Sequence, residues 1–517
     1  MQLLRVVLFL TTTTSLLAGD LDTVGVTLLR QADPTLQGGG VRIAQPEGAT
    51  ANDFEVNPAA VGQPSSLFTY INNIGNTATN FPNSVGTESG HADNVANSLY
   101  GLTTGVAPQV NHVDNYDADY FVNHFLSGGI AIAARISNQS FAYPTNLQSG
   151  VDSTFDDYAA VNDTIFVSAV GNGGPIFPPG TCYNGIGVAI YTSPSSVGPT
   201  PDGRCKPDLT APDLKDAPNG ANSYSTPYVA GAAAVLVQAA NRGDGGANTN
   251  AANDLRTIKA LLLNGAVKPT GWTNSPTAPL DARYGAGLVN VFNSWTQLKG
   301  GLHPSIETTS ANGTNHPPGL NVTNEPVLVG WDNAVLTDSG TQDRINHYYF
   351  NLTGTNSFAF TATLAWNRQE NRTAINDLNL FLYKTSNSNL VASSVSTVDN
   401  VEHLFLSALA PGRYDLQVLK KRAGRITASE TYALAFEMFG LKLNIALTNN
   451  NAVISWPLAP TGFRLQSTTS LTPPVAWTSV NATVSVNTNT GQNIVTLPVG
   501  VANQFFRLLR PTADFGL

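Results

Sequence analysis

A serine stands at the head of a long small-residue pattern in residues 221–236, ANSYSTPYVAGAAAVL. Ser223 lies in a Ser-rich turn, a run of Ala, Gly and Val follows, and Pro227 falls in the expected first helical turn, where a missing N–H costs little. A hydroxyl placed there projects from a helix N-terminus, whose N–H groups and dipole favour negative charge on a tetrahedral intermediate. Alone, it reads equally well as the cap of a buried helix. A second segment, SGHADNVANSLYG at 89–101, begins a helical pattern at His91 with Val95, Leu99 and Leu102 on one face. A histidine at a helix start can offer one ring nitrogen to a nucleophile and the other to an orienting acid, although a lone histidine is more often structural. The third, IFVSAVGNGG at 165–174, ends an apolar strand in a Gly-Asn-Gly loop carrying Asn172. Such an amide can donate to an oxyanion, and losing one typically costs ~10²–10³ in rate; it can also be an ordinary turn residue. The fourth, GGGVRIAQPEGA at 38–49, delivers Glu47 to a strand end, where open α/β sheets gather their active sites. On that segment alone a solvated turn carboxylate is the plainer reading.

The elements that must position these residues read as an α/β domain with a parallel sheet. Strands are expected at 41–44, 130–136, 164–169 and 186–191, and helices at 91–102, 152–161, 223–240 and 254–263. Residues 301–334, rich in Gly, Pro, Asn and Thr up to about 325, read as a linker. Alternating patterns such as FAFTATLAW, LNLFLY and YDLQVLK then predict an antiparallel β-sandwich over 335–440, and a second small β module follows over 441–511. Neither β region groups His, Ser and an acid or shows a metal-ligand spacing.

At 517 residues the chain exceeds one hydrophobic core, so two to four domains are expected. Only 12% of residues are charged and the net charge is −9, a balance that speaks against nucleic acid or an anionic membrane as partner. The first 19 residues, with Arg5 ahead of an apolar run and Ala18-Gly19 after it, read as a secretory signal peptide and predict a secreted or periplasmic protein. The remainder has no stretch of 18 apolar residues. Cys182 and Cys205 can form one disulfide in an oxidising compartment, stabilising by about 3 kcal/mol; two buried thiols are the alternative.

Taken in order, the segments resemble the subtilase family of serine peptidases over roughly residues 22–300. ANSYSTPYVAG is similar to that family's serine motif GTSMAAPHVAG, which sets Ser223 on its serine and keeps Pro227, Val229, Ala230 and Gly231. HADNVAN resembles the histidine motif HGTHVAG through His91, Val95 and Ala96, and SAVGN resembles the oxyanion motif AAGN through Asn172. GVAP at 105–108, KPDLTAPD at 206–213 and RYGAGLVNV at 283–291 look like flanking signatures of the same family. Asn138-Gln139-Ser140 resembles its substrate-lining segment, which implies a substrate contact for Ser140. The resemblance implies a parallel-sheet subtilisin-like catalytic domain over 20–300 followed by the two all-β sandwich domains. It further implies a serine endopeptidase that acts as a monomer on protein or peptide substrates and needs no cofactor for catalysis. Family members often bind structural Ca²⁺; Asp114, Asp117 and Asp119 are the nearest cluster here, and a solvated loop is the better reading of them.

The pattern departs from the family at the acid. The family places Asp in an Asp-Ser/Thr-Gly motif after a strand like VRIA, whereas this chain reads Gln45-Pro46-Glu47-Gly48. Glu47 is the best match, with a register uncertainty of one residue; Asp53 is the other acid within reach, and Asp93 reads as a helix-surface charge. Ala221 replaces a family glycine expected at an unusual φ/ψ, and Tyr228 replaces a histidine. These departures leave a second class open: an inactive subtilase fold serving as an extracellular binding or adhesion module. An esterase with the same triad is a third.

Overall fold

The computed structural model describes residues 20–49, 51–191, 194–213, 221–310, 327–338, 340–354, 357–440, 443–458, 461, 463–472, 475–488, 490–500 and 503–509. The expected signal peptide, 1–19, lies outside them. Residues 42–211 build an eight-stranded sheet: β1 Arg42–Glu47, β2 Phe68–Ile71, β3 Thr77–Ala78, β4 His112–Asp117, β5 Ile136–Gln139, β6 Ile165–Ala169, β7 Ile186–Ile190 and β8 Leu209–Ala211. Their order across the sheet is β8-β7-β6-β5-β1-β4-β2-β3, parallel throughout except for the β2–β3 pair. β6 and β7 are buried at every position, as strands covered on both faces must be. β1 lies near the middle. It pairs with β4 along its whole length and with β5 only at Ile43 and Ala44, so Pro46, which has no N–H to give, falls where a partner stands on one side only.

The helix Asn222–Asn241 runs through the centre of this domain with sixteen of its twenty residues buried. Small residues make that possible. A Cβ added at Gly231 would stand 2.6 Å from Cβ of Val106, so the helix and the 105–108 turn approach as closely as only glycine permits. The expected helices appear at Gly90–Leu99, Gln148–Asn162, Asn222–Asn241 and Leu255–Asn264. The expected strand over 130–136 is corrected to Ile136–Gln139. Its Ile-Ala alternation has the right period, but Ile130 is exposed and the ladder to β1 and β6 begins only at Ile136.

From Ile306 onward the secondary structure of the described residues is all β. A five-stranded sheet (Ile306–Ser310, Asp343–Leu352, Gly412–Lys420, Leu378–Lys384, Asn389–Ser394) faces a four-stranded one (Val329–Thr337, Ser429–Gly440, Phe358–Trp366, Val401–Leu409) across an apolar core with Tyr348, Phe360, Leu380 and Leu416. Two smaller antiparallel sheets follow between Asn444 and Leu509 around Ile454, Trp456, Leu465 and Val495. The strand Ile306–Ser310 and the first six residues of Val329–Thr337 fall inside the stretch read as a linker. Their partners, 343–352 and 429–440, are distant in sequence, so local composition could not reveal them. The sandwich docks through its four-stranded sheet on the helices Leu255–Asn264 and Val291–Lys299. Trp331 is fully buried and its indole N–H donates to the Leu298 carbonyl at 3.1 Å, while Thr361 and Thr363 both donate to Oδ1 of Asn264.

The disulfide expected between Cys182 and Cys205 is not formed; both are free thiols. Cys182 is buried with Sγ 3.5 Å from Oδ1 of Asp152, and the backbone N–H of Cys205 donates to Asp399 at 2.6 Å, so each cysteine is tied to a different carboxylate. Burial, with nearby carboxylates adding to it, pushes the Cys182 thiol well up and that of Cys205 up to about 12.

Candidate active site

The histidine helix Gly90–Leu99 starts at a Ser89 cap whose hydroxyl accepts the Ala92 N–H, which puts His91 in the first turn. β1 ends on the opposite side of the same space with Glu47, whose side chain is almost wholly buried. The two meet: Nδ1 of His91 lies 2.8 Å from Oε2 of Glu47. A carboxylate can only accept, so Nδ1 carries the proton and Nε2 presents a lone pair. Burial works to lower the His91 pKa, but the hydrogen bond and negative charge of Glu47 outweigh it, and the net shift is upward. Of the acids considered along this segment, Glu47 is the one that meets His91. Asp53 instead accepts the Ala51 N–H. Asp93 is not a surface charge: it is buried, accepts the Asn57 N–H at 2.7 Å, and is pushed up to about 6 by that burial, with Glu88 adding to the shift.

Ser223 is the second residue of the central helix. The helix begins at Asn222, one residue earlier than expected, so Pro227 stands in the second turn. A residue there would give its N–H to the carbonyl four positions back, which belongs to Ser223. Proline cannot, and Oγ of Ser140 donates to that carbonyl instead, at 2.8 Å. In return, Oγ of Ser223 donates to the Ser140 carbonyl at 3.2 Å. Ser140, expected to touch substrate, therefore has a buried side chain that supports the serine, held also by Nδ2 of Asn138 at 2.9 Å. Ala221 adopts φ −106°, ψ 129°, an ordinary extended conformation, so the methyl in place of a glycine brings no strain. Tyr228 is buried with its hydroxyl donating to Asp20 at 2.9 Å.

Asn172 follows Gly171, whose φ of 111° turns the chain sharply at the end of β6. Its Oδ1 accepts the Asn222 N–H at 2.7 Å, while Oδ1 of Asn222 accepts the Gly171 N–H at 2.8 Å. This reciprocal clasp fixes the loop on the helix start and leaves Nδ2 of Asn172 as a donor with no partner among the described residues. Asn222 was invisible as a functional residue in the sequence, because its role exists only once the loop and helix meet. The histidine side closes on the serine side through Tyr224, whose ring centroid lies 5.8 Å from that of His91 and whose hydroxyl accepts from Asn94 at 3.4 Å. Glu47 thus meets His91 directly, and His91 and Asn172 each touch a chain neighbour of Ser223, Tyr224 and Asn222.

Among the described residues no group of three or more His, Cys, Asp or Glu side chains is placed to hold a metal ion. Asp114 is engaged by the Arg42 guanidinium through two contacts of 2.7 Å, and Asp117 caps Tyr120.

Comparison with known proteins gives three kinds of finding. Among curated proteins no sequence matches this chain. Among solved structures it is similar to the prenylagaramide maturation protease PagA, at 20% identity and a TM-score of 0.39, covering 54% of this chain and 99% of that one. It is also similar to a serine protease of Aeromonas sobria, at 15% identity and a TM-score of 0.37, covering 92% and 89%. At such values no residue role carries over. The subtilase family model matches residues 65–287, a stretch that contains His91, Asn172 and Ser223 and begins after Glu47. With that match, residues 65–287 of this chain are a domain of the subtilase family.

Proposed function

We propose that the chain is a secreted serine endopeptidase that cleaves protein or peptide substrates as a monomer through an acyl-enzyme. The observation that carries this reading is the 2.8 Å contact of Glu47 with His91 beside a serine at a helix start. Oγ of Ser223 attacks the substrate carbonyl carbon and passes its proton to Nε2 of His91. Its hydroxyl donates to Ser140 in the resting state, so it must turn from that carbonyl to His91 as substrate binds. The oxyanion forms against Nδ2 of Asn172 and the Ser223 N–H, with the helix dipole behind them. Collapse breaks the C–N bond, and His91 returns its proton to the leaving amine. A water deprotonated by His91 then attacks the ester carbonyl and releases the acid, regenerating Ser223. Glu47 holds the ring in one tautomer and stabilises the imidazolium. Each step is assigned to a side chain or a backbone group of this chain, with no cofactor. The segment 1–19 supports export, and no helix among the described residues is long and apolar enough to cross a membrane.

A fluorophosphonate probe tests the proposal. The expected result is covalent labelling of the wild type, no labelling of Ser223→Ala, and peptide hydrolysis that the probe abolishes. An unlabelled, folded wild type would favour the binding-module alternative, and labelling with ester but no peptide turnover would favour an esterase.

A further inference from the structure

Glu47 uses only one carboxylate oxygen on His91. The other, Oε1, accepts Nε2 of Gln45 at 2.8 Å, two residues back on the same face of β1. That Nε2 also donates to the Ala92 carbonyl at 3.0 Å, and Oε1 of Gln45 accepts the hydroxyl of Tyr100. The orientation of the amide follows from its surroundings. Reversed, its oxygen would face two acceptors. Gln45, Glu47 and Tyr100 are all buried, so water does not compete for these bonds. The contacts also span the histidine helix from end to end: His91 and Ala92 lie in its first turn and Tyr100 follows its last residue.

A glutamate has one more rotatable bond than an aspartate, and each freely rotating bond that must be fixed carries an entropic cost. We propose that Gln45 and Tyr100 are positioning residues for the Glu47–His91 pair: the Tyr100 hydroxyl holds the Gln45 amide, and the amide holds Oε1 of Glu47 so that Oε2 stays on Nδ1 of His91. The consequence for turnover rests on the serine-peptidase reading above; the positioning itself does not. The other titratable groups facing this pair are Asp93, Glu88 beside it, Tyr70 near Tyr100, and Tyr224 beside the His91 ring.

The test is NMR titration of the His91 ring in the Ser223→Ala background, which prevents self-digestion. Gln45→Met keeps the length of the side chain and removes both polar ends. It is expected to lower the His91 midpoint by about half a pH unit or more, because a Glu47 carboxylate no longer held at Oε1 keeps Oε2 on Nδ1 less of the time and supports the imidazolium less. Tyr100→Phe is expected to move it the same way by less, and the double variant to match Gln45→Met, since the hydroxyl acts only through the amide. With Ser223 restored, Gln45→Met is expected to lower kcat about tenfold with KM within about twofold. An unchanged midpoint in folded Gln45→Met overturns the proposal, and additive shifts in the double variant overturn the part of Tyr100. Should Gln45→Met fail to fold, the near-isosteric Tyr100→Phe decides: an unchanged midpoint there overturns the relay. Shifted midpoints in a chain that no fluorophosphonate labels would support the positioning and sink the peptidase reading.

Discussion

At position 47 a glutamate stands where the subtilase pattern has an aspartate, and its longer side chain reaches His91, because β1 delivers it from within the sheet and His91 waits at a helix start 2.8 Å away. Removing that carboxylate leaves the imidazole free to choose its tautomer. Glu47→Ala is therefore expected to lower kcat at least about a hundredfold while the fold survives, as read by peptide hydrolysis alongside circular dichroism; wild-type turnover would show that another acid serves. The same contact sets the pH dependence. A general base must be neutral, and Glu47 raises the His91 pKa above its ordinary 6.5. The acid limb of kcat/KM is expected to have its midpoint above that value, activity rising with pH through it. In Glu47→Gln the midpoint should fall, because the hydrogen bond to an anion is lost and burial alone remains.

The serine helix shows how an element's irregularity becomes a support. Pro227 withholds the N–H that would have taken the Ser223 carbonyl, and Ser140 takes it instead, linking the end of β5 to the helix start. Ser140→Ala is expected to destabilise the protein by about 1 kcal/mol in denaturant melts. In a Pro227→Ala background, where an intrahelical N–H can replace the lost donor, the same change should cost less. Equal costs in both backgrounds would disprove the link between the two residues. The Asn172–Asn222 clasp works at the same scale. Asn222→Ala strips partners from the Gly171 N–H and, through Nδ2, the Val188 carbonyl, so about 1–3 kcal/mol of stability and much of the turnover should go together.

Across the whole molecule, the sandwich is bound to the subtilase domain by polar insertions as well as apolar packing. Arg368 reaches from the sandwich to Asp156 at 3.2 Å and Asp157 at 2.8 Å, and its backbone exchanges two 2.8 Å hydrogen bonds with the Asn184 side chain. Asp156 is fully buried, and burial pushes its pKa up to about 6 even with Arg368 beside it. Arg368→Ala should leave that carboxylate without its cation and cost about 3–5 kcal/mol where Asp156 is ionised. Below about pH 6 the carboxyl can protonate and the penalty shrinks. Thermal melts are thus expected to show a larger loss at pH 8 than at pH 5, and a pH-independent loss would mean that the cation is not what Asp156 relies on.

The sequence by itself marked the candidate chemistry-bearing residues and the class of each region, because helix starts, apolar strands and period-two alternation are local signals. Ser223, His91 and Asn172 each stand at such a junction, and FAFTATLAW or YDLQVLK can be little other than strands. Only the tertiary structure decided which acid meets His91, since Glu47 and Asp53 both lie within local reach and the choice depends on where β1 ends relative to a helix more than forty residues on. It also decided the contacts of Gln45, Tyr100, Ser140 and Asn222, the separate surroundings of the two thiols, and the strand pairings that begin inside the expected linker. Each is a contact between segments remote in sequence, and its energy exists only when burial has removed water from both partners.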